Sequence, residues 1–402
     1  MHVVWINEDA DFTGGCESYI YQSVGLLAEK NIKSTLMYKV GSPKSAEFLN
    51  QFEQAFPMVD IESQLVQLQP DIIYVHSLND IETLKRIVAF PCQKIRFFHD
   101  QRAFCLRDHK YTTIGKKPCA KKLGLDCYSC LGFLKPSSMP WKVGLRTLGE
   151  LKASLKLNQQ FDRVLVGSNY MAEQLKMHDF DAEKLAVATL FSNALRPADQ
   201  ETPLVLGSST SSNLADSPVS KRKKQLLFVG QLVTGKGLDT LLEALAKSAH
   251  EVELVVCGTG KMEQNYQRQS EALGLSPRVR FLGHQNSDQL RKHYQRADAV
   301  VIPSRAPETF CLVGLEALAN GTPVIASNTG GMNEWLKPNV NGLEFEANNS
   351  AQLAFSIDRY FSDVRLQTRL RQFALKSDYG HFAPEQHINL VHNLMTSMME
   401  AA

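Results

Sequence analysis

The chain has 402 residues, too many for one ordinary hydrophobic core, so two or three domains are expected. Apolar residues make up 44% and charged residues 21%, which excludes a largely disordered, collagen-like or coiled-coil protein. The formal net charge is +2, so no global field calls for a nucleic-acid partner.

Short apolar runs alternate with helix-period segments along most of the chain. The first half carries such runs at residues 3–6, 35–38, 72–75, 95–98 and 164–166. The second half carries them at 226–229, 253–256, 279–282, 299–302 and 323–326. Most are apolar at nearly every position, which suits parallel strands covered on both faces. Helical stretches such as 238–246 and 288–296 lie between them, and the rhythm predicts doubly wound α/β domains. Residues 197–220 hold six Ser and three Pro, then run into Lys221-Arg222-Lys223-Lys224. This composition reads as a linker or loop. The expected division is residues 1–196, a linker at 197–224, residues 225–383, and a final helical segment, 384–402, packing back on the first domain.

Open α/β sheets bind ligands beyond the carboxyl ends of their strands, so the strand-to-helix turns are the places to look. The first is Thr13-Gly14-Gly15-Cys16-Glu17. Paired glycines let amides approach an anion at a helix start, and they also form ordinary tight turns. The second runs from Gly230 and Gln231 to Gly235-Lys236-Gly237, where an ammonium could meet a phosphate beside a helix N-terminus. It lacks the Walker spacing. The third is Cys257-Gly258-Thr259-Gly260. The fourth follows residues 299–302, with Glu308 in a Pro-flanked loop and Glu316 one to two turns into a helix. Two carboxylates around a helix N-terminus could bind sugar hydroxyls while free amides hold a phosphate. Gly321-Thr322-Pro323 and Thr329-Gly330-Gly331 could line the same cleft.

Residues 94–156 contain 14 Lys or Arg against 4 Asp or Glu. Within them, a Cys-rich basic insertion at about 99–140 holds Cys105, Cys119, Cys127 and Cys130. Cys127-x2-Cys130 has the spacing of a zinc half-site, which Cys105 and Cys119 could complete; reduced, unbound thiols are the other reading. Trp141-Lys142-Val143-Gly144-Leu145-Arg146 is either a basic amphipathic helix facing anionic lipid or an exposed helix. The opening MHVVWINEDADF reads as a strand and an acidic loop rather than a signal peptide, and no apolar run approaches the ~20 residues of a membrane span. The expected location is cytoplasmic, with peripheral contact to the membrane face.

Taken in order, these features resemble a retaining GT-B glycosyltransferase of family 4 (glycosyltransferases group 1). The match runs over Gly14-Gly15-x-Glu17, Pro70-Asp71 through His76, His99-Asp100, Phe228-Val229-Gly230 with Lys236-Gly237, Cys257-Gly258-Thr259-Gly260, Glu308-x7-Glu316 and Gly321-Thr322-Pro323. The resemblance implies two facing Rossmann-like domains with the active site in the cleft. It implies a nucleoside-diphosphate sugar donor on the C-terminal domain and a glycan or lipid-linked acceptor on the N-terminal one, plausibly in cell-surface polysaccharide assembly.

By the same resemblance Glu308 binds donor-sugar hydroxyls, Glu316 the ribose diol, and Lys236 the leaving diphosphate. Gly14 and Gly15 approach the diphosphate from the other domain, and His99 lies by the sugar. Gly258, Gly260 and the backbone around Phe310, Cys311 and Leu312 line the donor. Gln231 stands where the family usually has Arg, with Arg305 a candidate substitute, and Cys311 stands at a common Gly. No catalytic metal is expected. Two other readings remain: a catalytically weak sugar-nucleotide-binding scaffold, and a glycoside hydrolase using Glu308 and Glu316.

Overall fold

The computed structural model describes residues 1–136, 143–192 and 223–401. Two all-parallel sheets form the frame. The first contains β1 (His2–Asn7), β2 (Lys33–Lys39), β3 (Gln54–Met58), β4 (Ile72–Val75), β5 (Gln93–Phe98), β8 (Arg163–Val166) and β9 (Leu185–Val187). Their spatial order is β3-β2-β1-β4-β5-β8-β9. A two-stranded antiparallel ribbon, β6 (Leu134–Pro136) and β7 (Val143–Leu145), interrupts the sequence between β5 and β8. The second sheet contains β10 (Gln225–Val229), β11 (Glu253–Cys257), β12 (Val279–Phe281), β13 (Ala299–Ile302), β14 (Val324–Ser327) and β15 (Gly342–Phe345), ordered β12-β11-β10-β13-β14-β15.

The central strands earn their place by composition. Val3, Val4, Trp5 and Ile6 of β1, and Ala299 to Ile302 of β13, are buried on both faces. Helices cover each sheet, and crossovers run outward in both directions from β1 and from β10. The winding therefore reverses between β1 and β4, and between β10 and β13. Such a reversal opens a crevice beyond the carboxyl ends of the strands, where the two flanking loops diverge. The loops after β1, β10 and β13 all leave from these points.

The last helix, Pro384–Glu400, returns to the first sheet. Ile388, Val391, Met395 and Met398, three or four residues apart, lie in one apolar cluster with Val3, Trp5, Tyr19 and Tyr74. Its His387 bonds the Tyr19 hydroxyl at 2.8 Å and the Thr189 carbonyl at 2.9 Å.

Three strands that the apolar runs did not reveal, β3, β9 and β15, are all sheet edges. An edge strand is covered less, so its sequence carries a weaker apolar signal, as Gln54-Ala55-Phe56-Pro57-Met58 illustrates. The expected helix at 141–146 is not formed in its described part: Val143–Leu145 is a strand, because its backbone pairs with Leu134–Pro136. Trp141 and Lys142, and most of the 197–224 stretch with Lys221 and Arg222, lie outside the described residues. Among the described residues no helix is long and apolar enough to cross a membrane.

Candidate active site

The loop after β10 closes into a short 3-10 turn, Thr234–Lys236, before the helix Leu238–Lys247. Gly237 joins them at φ 72°, and a Cβ there would sit 2.0 Å from the Pro303 carbonyl oxygen, so the loops after β10 and β13 are in backbone contact. This approach delivers Lys236 to Glu308. Its Nζ lies 2.8 and 2.9 Å from the two carboxylate oxygens. The Ser304 hydroxyl donates to the same carboxylate. Burial works to lower the Lys236 pKa, but the adjacent Glu308 charge prevails and the net shift is upward. The ammonium is therefore firmly charged. It spends two of its three N–H bonds on Glu308, with one left for a further acceptor.

The Glu308 loop is gripped from the other side by the Thr329-Gly330-Gly331 turn. A Cβ on Gly330 (φ 69°) would meet the Glu308 carbonyl oxygen at 2.2 Å, and Gly331 N–H donates to that oxygen at 2.6 Å. The helix Leu312–Ala319 then begins at Cys311, which adopts φ 67°. The left-handed conformation explains why glycine is common there, and it stores strain in a cysteine. In the first helical turn the Gly314 amide donates to the Cys311 carbonyl at 3.2 Å, while Leu312 and Val313 precede the first residue that can bond back along the helix. Phe310 itself is fully buried, and its carbonyl accepts from Trp335 Nε1 at 2.8 Å. It anchors the loop rather than offering its side chain to a ligand.

Glu316 receives the Ser192 hydroxyl at 2.7 Å and the Tyr294 hydroxyl at 2.9 Å, one on each oxygen. Burial raises its pKa above the ordinary carboxylate value, and the two hydroxyls partly offset this. Neither Tyr294 nor Ser192 was legible as a site residue, because each is brought to Glu316 only by folding.

The first lobe meets this surface at several points. Gln101 Nε2 donates to the Pro307 carbonyl at 2.8 Å, and Asn169 Nδ2 to Glu334 at 2.8 Å. Ser168 donates to the Thr309 carbonyl. Gln231, exposed, reaches the Thr13 carbonyl at 3.4 Å. The Thr13-Gly14-Gly15 loop thus faces the Lys236 loop across the crevice. The helix Gly15–Ala28 starts at Gly15 behind an extended Gly14, and nothing lies within 4 Å of a Cβ on Gly15. A side chain at this position would meet open space.

His99 follows β5, two residues before Gln101. It stacks on Phe97 at 4.3 Å between ring centroids and shares a 2.9 Å hydrogen bond with His76. Burial, with Arg96 and Arg102 nearby, pushes its pKa down to about 3. At working pH it is a neutral hydrogen-bonding group, not a proton donor.

One expectation needs revision. Arg305 is not a phosphate ligand: it is buried, with its guanidinium on Asp239 (2.8 Å), the Thr234 carbonyl (2.8 Å) and the Thr240 hydroxyl (2.9 Å). It props the Lys236 loop from beneath. Gly258 and Gly260 allow close loop packing. A Cβ on either would come within 2.0 Å of the Gly230 oxygen or 2.6 Å of the Leu232 oxygen. An Asp9-Ala10-Asp11 pattern after β1 escaped the sequence reading. Asp9 accepts from the Thr13 hydroxyl at 3.2 Å and Asp11 from the Phe12 amide at 2.8 Å, both within the loop.

Among the described residues, one trio of ligand-type atoms lies within 4.8 Å: those of Cys16, His76 and His99. Burial raises the Cys16 pKa well above its ordinary value, which disfavours the thiolate a metal would need. Cys105, Cys119, Cys127 and Cys130 are reduced and line a different cavity, in the insertion.

Residues 210–377 match the family described as "Glycosyl transferases group 1". An uncharacterized glycosyltransferase of Methanocaldococcus jannaschii is 38% identical over 167 residues, 41% of this chain and 43% of the relative. A D-inositol 3-phosphate glycosyltransferase of a Mycobacterium species is 31% identical over 227 residues, 54% of this chain and 48% of the relative. The matched stretches thus span about half the length of the curated relatives. Anabaena HepE, solved in complex with UDP and glucose, superposes with a TM-score of 0.71 over 99% of this chain and all of that one, at 19% identity. The two sheets and their facing arrangement are those of the GT-B fold.

Proposed function

We propose, from the match of residues 210–377 to the glycosyl transferases group 1 family, that the chain transfers a sugar from a nucleoside diphosphate to a glycan or lipid-linked acceptor. The observation that carries the reading is the Lys236–Glu308 pair. It stands beside the N-terminus of Leu312–Ala319 and opposite the Gly14–Gly15 loop. A crevice so built offers one ammonium, several amides and a carboxylate, a set suited to diphosphate and sugar together.

In this reading the C1–O bond to the diphosphate breaks as the acceptor oxygen bonds C1 from the same face. The departing phosphate oxygen takes the acceptor's proton, so the anomeric configuration is retained. Negative charge gathers on the diphosphate, where Lys236 and the first-turn amides stabilise it. Glu308 accepts hydrogen bonds from sugar hydroxyls and is oriented by Lys236 and Ser304. Glu316 exchanges a hydroxyl partner for the ribose diol. No divalent ion is assigned a step, because the ammonium and amides supply the positive potential.

A hydrolase reading fits less well, since Glu308 is committed to an ion pair and so suits hydrogen-bond acceptance better than acid catalysis. HepE, solved with UDP and glucose, makes a uridine donor the first to test. Relatives in lipopolysaccharide core assembly make a cell-surface glycan on the cytoplasmic membrane face the first acceptor to test. The experiment is a transfer assay across nucleoside diphosphate sugars in the presence of a chelator, with the product anomer read by NMR. A retained anomer and chelator-insensitive turnover are expected. An inverted product, or cleavage of simple glycosides without use of any sugar nucleotide, rejects the proposal.

A further inference from the structure

We infer that the basic insertion of the first lobe is a zinc site, held by Cys105, Cys119, Cys127 and Cys130. All four line one cavity of about 220 Å³, walled also by Phe104, Lys110 and Tyr111. They come from two separate pieces of chain. Cys105 and Cys119 sit on a loop pinned by the Cys119 amide donating to the Lys110 carbonyl at 2.7 Å. Cys127 lies in the one-turn helix Asp126–Ser129, and Cys130 caps it.

Two independent features point to a cation held by thiolates. First, the chain turns its amides toward sulfur. The Lys110 N–H reaches Cys105 Sγ at 3.4 Å, and the Arg107 and His109 amides address the same atom. Asp108 and Lys110 adopt φ of 67° and 49° to make that wrap. Amide donors directed at a sulfur favour its anionic form, here working against burial, which on balance raises the Cys105 thiol. Second, Lys110 is only 2% exposed, and its ammonium donates to the Lys121 carbonyl but meets no carboxylate among the described residues. Its nearest electrostatic neighbours are Cys119, Cys105 and Cys127. A buried ammonium without a counter-anion is costly, and a zinc–thiolate group in this cavity would supply one. Four thiolates around Zn²⁺ carry a net charge of about −2, which the surplus of 14 basic over 4 acidic residues in 94–156 would offset.

The sulfurs line the cavity without forming a trio within 4.8 Å, a spacing met among the described residues only by Cys16, His76 and His99. Zinc–sulfur bonds of about 2.3 Å therefore require the 105–119 loop and the Asp126–Ser129 turn to close on each other, releasing the thiol protons to solvent. The consequence reaches the crevice. Tyr111 lies 3.6 Å from a Cβ on Gly235, in the loop that carries Lys236, and Asn348 reaches the Gly115 carbonyl at 3.4 Å. The metal would fix the insertion that spans these two contacts. This inference stands apart from the reaction proposed above.

The test is native mass spectrometry of the full chain purified with zinc in the growth medium, paired with cobalt(II) titration of the chelated protein. One zinc per chain, and cobalt bands of thiolate charge transfer and tetrahedral geometry, are expected. Cys127→Ser with Cys130→Ser should lose both. If that variant does not fold, the wild-type cobalt spectrum decides alone. A zinc-free mass with four free thiols, or a mass lowered by disulfide formation, overturns the assignment, as does a cobalt spectrum without thiolate bands.

Discussion

Lys236 and Glu308 lie 72 residues apart in sequence, yet the ammonium bridges both carboxylate oxygens, at 2.8 and 2.9 Å. The two are assigned to different parts of the donor, so each positions the other before the donor arrives. Lys236→Ala should lower kcat/KM by about 100- to 1,000-fold, the scale of losing one preorganised charge donor. Glu308→Ala should lower it by roughly 10- to 150-fold, as for a lost charged hydrogen bond of ~1.5–3 kcal/mol. The double variant should fall well short of the product of the two losses, because the residues share one contact. Steady-state kinetics of the three variants check this; independent losses would separate the pair.

Glu316 should write itself into the pH profile. Its raised pKa means that the folded chain holds the proton at a pH where an unfolded glutamate, near ~4.3, has lost it. Donor use should therefore fall on acidification at a pH above the ordinary carboxylate range, and Glu316→Gln should remove that limb. The linkage sign is the reverse for stability. A raised carboxyl pKa contributes stability below the unfolded value, which is lost as pH rises through the folded value. Thermal melts of Glu316→Gln against wild type should diverge with rising pH, in favour of the variant.

Arg305 belongs to the fold, not to donor affinity. Arg305→Met strips Asp239, Thr234 and Thr240 of their shared partner. The expected cost is about 3–5 kcal/mol, the range for breaking a buried ion pair. Denaturant titration measures it. Unchanged stability with weakened nucleotide binding would return Arg305 to the site.

Gln231 is exposed, and its side chain donates to the Thr13 carbonyl of the facing lobe at 3.4 Å. Gln231→Arg should be tolerated and should tighten nucleoside diphosphate binding by adding a guanidinium at the crevice. Calorimetry with UDP and GDP reads this directly. Loss of turnover would assign Gln231 a purpose of its own.

The parts of this molecule legible in the sequence are those where local pattern and tertiary role coincide. The runs at 3–6 and 299–302 are buried central strands, and their apolar continuity says so. Leu312–Ala319, rich in Leu and Ala, is the helix its composition predicts. What stayed hidden depends on distant partners. Tyr294 and Ser192 become site residues only because Glu316 lies between them. Arg305 resembled a phosphate ligand by position, and only the fold turns it toward Asp239. Why Gly258 and Gly260 are small was also hidden, because the backbone that presses on each belongs to the Gly230–Leu232 segment. That Cys311 stands at a common Gly acquires its meaning only from the φ of 67° that the fold imposes there.

The account rests on a diphosphate lodged between the lobes, and a crystal structure with a bound nucleoside diphosphate tests that most directly. The expected density places the phosphates within hydrogen-bond reach of Lys236 Nζ and the first-turn amides of Leu312–Ala319, with the Gly14–Gly15 backbone closing from the opposite lobe. Phosphates bound elsewhere, with Lys236 and Glu308 still paired and untouched, would contradict it.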